Sequence, residues 1–100
     1  KSWWAKLIMR SKKGEMEIKH YDNGEKHLEI DLHGLSVPDG AQVQAMIDGK
    51  IVQDVTIQRG FAHMHYNSAD GEIIPDVQHG SKAEIRYMGE LLLEGTFFRD

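Results

Sequence analysis

The sequence predicts an all-β domain, an antiparallel β-sandwich or partly open barrel of about eight short strands joined mostly by hairpins. Three observations predict it. Apolar residues recur with a period of two rather than 3.6. Turn signals separate the alternating runs: Asp22-Asn23-Gly24, Asp48-Gly49, Arg59-Gly60 and Met88-Gly89-Glu90. No eleven-residue window shows an apolar stripe at helical spacing.

Strands are expected near residues 3–11, 14–22, 25–34, 41–47, 50–58, 61–67, 81–88 and 91–98, in a single domain spanning 1–100. Residues 1–13 form a candidate peripheral first strand. It begins with adjacent tryptophans, so one faces inward and the other outward. Trp3 and Trp4 are therefore candidate partner-binding residues; the plainer reading has one filling the open end of the core and the other lying across its lip. Lys12-Lys13-Gly14 reads as a further turn. The third run alternates without error, with Leu28, Ile30 and Leu32 on one face and His27, Glu29, Asp31 and His33 on the other. Ala41, Val43, Ala45 and Ile47 alternate with Gln42, Gln44 and Met46, and Ala83 to Tyr87 alternates as cleanly. Two longer connections, 35–40 and 67–80, hold the prolines Pro38 and Pro75.

Register follows from burial. A three-residue loop, Asp22 to Gly24 with Gly24 left-handed, pairs Ile18 with Leu28 and Met16 with Ile30, keeping apolar side chains together. The same register sets Glu17 opposite Glu29 and Glu15 opposite Asp31 on the outer side. Like charges facing each other are mildly destabilising. They form a solvated acidic face, or else a weak cation site or a surface for a basic partner.

Composition excludes several classes. With 100 residues the chain can bury one modest core. A net charge of −4 lacks the basic excess of a nucleic-acid-binding face. The absence of cysteine removes disulfides, thiolate zinc sites and cysteine nucleophiles. No run of eighteen apolar residues offers a membrane span. Lys1 in place of Met suggests a processed product or an excised piece of a longer chain, from which any signal peptide or anchor would have been lost.

Candidate chemistry centres on Phe61-Ala62-His63-Met64-His65-Tyr66. Ala62, Met64 and Tyr66 read as core, and His63 and His65 project together on the other face about 6.5–7 Å apart. A two-residue turn at Arg59-Gly60 would set Thr56 opposite His63 and Asp54 opposite His65. His63, His65 and Asp54 are then candidate ligands for zinc or copper. The alternative is a solvated pair hydrogen-bonded to a carboxylate. For catalysis, Ser2, Ser11, Ser36 and Ser68 lie in turns or at the start, none in a nucleophile elbow. The loop with Asp70, Glu72 and Asp76 lacks the twelfth-position glutamate and the flanking helices of the helical calcium motif. No enzyme is expected.

The run Leu28-Glu29-Ile30-Asp31-Leu32-His33-Gly34-Leu35, then Val37-Pro38-Asp39-Gly40, Asp70-Gly71-Glu72-Ile73-Ile74-Pro75-Asp76-Val77-Gln78-His79-Gly80 and Leu93-Glu94-Gly95-Thr96-Phe97 follow a pattern. It runs Gly-Leu-x-x-Pro-x-Gly, Asp-Gly-x-x-x-Pro-x-Val-x-x-Gly, Leu-x-Gly-Thr-Phe. The pattern resembles an uncharacterised β-rich domain of bacterial exported proteins, over about residues 14–98. The resemblance implies export, to a periplasmic or extracellular location, and supplies no activity or ligand. The expected function is a non-catalytic structural or interaction module of an exported bacterial protein. The alternative is a small divalent-metal-binding protein using the outward His-x-His.

Overall fold

Period-two segments become strands because alternation gives each a dry face and a wet face, and the dry faces must be buried together. The computed structural model, which describes residues 1–10 and 12–100, shows how they do it. The strands are β1 (Ser2–Met9), β2 (Lys12–His20), β3 (Lys26–His33), β4 (Gln42–Ile47), β5 (Lys50–Thr56), β6 (Ala62–Asn67), β7 (Lys82–Tyr87) and β8 (Glu90–Arg99). They form one eight-stranded sheet in the order β5-β4-β7-β8-β1-β2-β3-β6, antiparallel throughout. The sheet curls until its end strands meet at one bridge, Gln58 with Phe61. Of the two architectures expected, the molecule is the partly open barrel.

The interior is lined by the inward set of every strand. Leu7, Met16, Ile18, Leu28, Ile30, Leu32, Val43, Val55, Ile57, Ile85, Leu93 and Phe97 are fully buried. The register argued from burial is the observed one, with Ile18 opposite Leu28 and Met16 opposite Ile30. Gly24 closes the turn at φ 89° and donates its N–H to the Tyr21 carbonyl. Asp48-Gly49, Arg59-Gly60 and Met88-Gly89 each carry two successive positive φ values, as type I′ hairpin turns require. Leu91-Leu92-Leu93 breaks alternation, and there the β7–β8 register shifts, so a bulge turns both Leu92 and Leu93 inward.

Three expectations are corrected. The first strand is not peripheral: β1 lies between β8 and β2, with Trp4 opposite both Phe98 and Glu17. Its expected end at Ser11 lies outside the described residues. Lys12-Lys13-Gly14 is not a turn but the start of β2. Gly14 is buried opposite Leu7, and a Cβ there would come within 2.9 Å of Leu32 Cδ2 and 3.0 Å of the Asp31 carbonyl oxygen. Glycine is present for close approach rather than for turning. Third, the hairpin at Arg59-Gly60 does not zip beyond Gln58–Phe61. β5 pairs with β4 and β6 with β3, so the neighbouring strands in sequence become the two edges of the sheet.

One end of the barrel is closed by the 67–80 connection, which starts as a single 3-10 turn, Ser68–Asp70. Ile74 and Val77 drop into the core. The Lys26 ammonium donates to the Ile74 carbonyl at 2.6 Å and pairs with Asp76 at 3.2 Å, while Lys26 N–H donates to Ser68 Oγ at 2.9 Å. No helix among the described residues is long and apolar enough to cross a membrane.

Candidate functional site

Cross-strand register places the outward side chains of β8, β1, β2, β3 and β6 in rows running around the barrel. One row reads Phe98, Trp4, Glu17, Glu29, His65. The next reads Lys6, Glu15, Asp31, His63. The acidic face expected from the sequence therefore exists, and four carboxylates occupy its centre. It is not uniformly solvated. Glu17 is only 6% exposed, and among the described residues its side chain makes no hydrogen bond and has Lys19 as its one ion-pair partner, at 3.8 Å. Burial, the largest influence, pushes its carboxyl above the usual carboxylate range; Lys19 opposes this, and Glu29, Asp100 and Glu15 add to it.

The tryptophans divide as alternation requires. Trp3 packs against the core, and Trp4 stands half-buried on the outer face. Trp4, Lys6, Glu15, Phe98 and Asp100 line one shallow depression there, and Phe98 is 39% exposed. An aromatic surface bordered by carboxylates can receive a cation over the ring face and hold it electrostatically.

The histidines of β6 find partners other than those expected. β3, not β5, lies alongside, so His63 faces Asp31 and His65 faces Glu29, while Asp54 faces Gln44 on β4. His63, His65 and Asp54 are not brought together in one ladder. By joining β3, β6 buries Ala62 opposite Leu32, while β5 pairs with β4. His63 Nδ1 donates to Asp31 Oδ1, and that hydrogen bond, then the Asp31 charge, raises the His63 pKa.

His65 meets His27 instead, with Nε2 of His65 and Nδ1 of His27 2.8 Å apart. His27 Nε2 lies 3.1 Å from Glu25 Oε1. A neutral imidazole has one donor and one acceptor nitrogen. With His27 donating to Glu25, its Nδ1 is the acceptor and His65 Nε2–H the donor. Glu25 also accepts from Asn23 at 2.9 Å and Asn67 at 3.3 Å, and hydrogen bonds from His27, Asn67 and Asn23, in that order, lower its pKa. The Tyr21 ring packs against His27 in a tilted arrangement, with ring centroids 4.6 Å apart. This chain of side chains clips the sheet-edge strand β6 to β3.

His27 and Glu25 were missed because their link to His65 spans 38 positions with two other strands between. The signal was the matching alternation of 27–33 and 62–66, which antiparallel pairing brings face to face. Among the described residues no group of three or more His, Asp or Glu is placed to hold a metal ion. The His27 and His65 nitrogens are the one converging pair of imidazole donors there. Compared with protein-family models, curated proteins and solved structures, the chain matches none.

Proposed function

We propose that the chain is a non-catalytic structural or interaction module of an exported bacterial protein, whose contact surface is the outer face around Trp4. The observation that supports this is Glu17, 6% exposed, its carboxylate without a hydrogen bond among the described residues, directly opposite Trp4 and beside Glu15 and Glu29. Lys19 at 3.8 Å offsets only part of the cost of burying this group, and a partner's cation would offset more of it. Trp4 and Phe98 supply the apolar floor that such a partner needs, so the partner chemistry is an arginine- or lysine-bearing segment.

A tetra-arginine peptide titrated at low salt tests the surface by amide chemical shifts. Shifts confined to β8, β1 and β2, abolished in Glu17→Gln and weakened in Trp4→Ala, support it. Shifts spread evenly over the domain, or none, overturn it. Cell fractionation tests export; recovery of the full gene product in the cytosol would count against it.

One observation favours a second reading, a divalent-metal-binding protein. His27 and His65 present two imidazole nitrogens to one point, and zinc or copper could replace the hydrogen bond between them. A melting temperature that rises with zinc or copper and no longer does so in His27→Ala/His65→Ala supports this reading. A rise that survives in that double variant rejects it.

A further inference from the structure

A barrel that stops short of closure leaves two strand edges, those of β5 and β6. On β6 the histidine chain and Ser68 reach back to β3, on the side away from its free edge. The edge of β5 is bare. Ile57 exchanges hydrogen bonds with the 40–41 segment leading into β4, and Gln58 with Phe61. Backbone direction alternates along a strand, so Thr56 and Asp54 point their N–H and C=O groups away from β4. Among the described residues those groups take no backbone partner.

Beside that edge runs a groove between Ile51–Asp54 and Gly71–Ile73. Its lips are apolar and open, with Ile51 61% and Ile73 86% exposed. On the other edge strand, Met64 lies on the core face of β6, opposite the fully buried Ile30, yet is 39% exposed. Asp54 and Glu72 make the groove acidic, and Gln53 Nε2 donates to Glu72 Oε2 at 2.7 Å across it. The Tyr66 hydroxyl is buried without a hydrogen-bond partner among the described residues. Glu72 and Asp54 are near enough to add to the upward push that burial gives its pKa.

We infer that the free edge of β5 accepts an extended segment of another polypeptide, with alternating basic and apolar residues, as an added strand in this groove. Each element of the site selects that occupant. Free N–H and C=O groups at every second residue are satisfied by another strand and by little else. Exposed Ile51 and Ile73 take its apolar side chains. Asp54 and Glu72 take its basic ones, and they disfavour a second copy of this chain, which would bring the same acids against them. Natural domains protect long apolar edges, and β5 has only a bulge near Val52 and the charges of Lys50 and Asp54. This surface lies on different strands from the Trp4 face and stands independently of it.

The test uses the intact domain. Without any ligand, amide hydrogen exchange should be at least ~10-fold faster at Asp54 and Thr56 than at Val55 and Ile57, which point toward β4. Equal protection would mean that the edge is already paired, and would overturn the proposal. A blocked heptapeptide of alternating lysine and valine is then titrated at low salt. The expected result is slowed exchange at Asp54 and Thr56 and chemical-shift changes along β5 and residues 71–73. Asp54→Asn/Glu72→Gln should weaken binding about 10-fold, and N-methylation of alternate peptide residues should abolish it. No binding, undiminished binding of the N-methylated peptide, or shifts centred on Trp4 would each overturn the proposal. So would a concentration-dependent dimer mass that protects the same amides without peptide.

Discussion

At the scale of single residues, Glu17 and His63 shift in the same direction for opposite reasons. Burial raises Glu17 by penalising its charged form, so the folded domain holds that proton more tightly than the unfolded chain does. Below the unfolded value neither state is ionised and no penalty exists; as pH rises the unfolded chain ionises first, and stability falls until the folded pKa is passed. Glu17→Gln should therefore raise the urea midpoint at pH 7 and bring no gain at about pH 3.5, below the ~4.3 of a free glutamate. Urea melts at the two pH values check this, and an unchanged midpoint at pH 7 would show that the carboxylate carries no penalty. For His63 the Asp31 hydrogen bond favours the charged form. Its stabilisation is complete below the unfolded histidine value and is lost as pH rises through the folded pKa. An NMR titration should find His63 above the ~6.5 of a free histidine and Asp31→Asn returning it there. A titration unmoved by that substitution would exclude Asp31 as the cause.

At the scale of elements, glycine rather than a large side chain fixes the tightest contact. β8 crosses β1 so closely at Gly95 that a Cβ would overlap the Lys6 carbonyl oxygen and reach within 3.4 Å of the Leu7 Cα. The obstacle is backbone, which cannot step aside as a side-chain tip can. Gly95→Ala is expected to cost about 3 kcal/mol or more, by parting β8 from β1. Chemical denaturation measures it, and a loss below ~1 kcal/mol would mean that the strands separate freely there. The strands themselves were legible in the sequence to within about two residues, because alternation and turn dipeptides are local. Gly14 misled because a glycine after two lysines carries a turn signal, whereas here it makes room for Leu32.

At the scale of the whole molecule, the first and last strands are partners, with Trp3 opposite Arg99 and Ala5 opposite Phe97. Neither end can leave without opening the core. Phe97→Ala should cost about 3–5 kcal/mol. The unfolding curves from tryptophan fluorescence, which reports β1, and from far-UV circular dichroism, which reports the sheet, should remain coincident. Separated transitions would show the terminal pair to be an independent unit.

By itself the sequence determined the all-β class, most strand positions, the β2–β3 register and the division of Trp3 from Trp4, since each follows from alternation within or between adjacent strands. Only the tertiary structure decided that β6 joins β3, that Asp54 stands apart from His63 and His65, and that β5 is left as an open edge. Those outcomes turn on which distant apolar faces are buried together when the sheet curls. That choice is a comparison of pairings across the whole chain, and no local pattern records it.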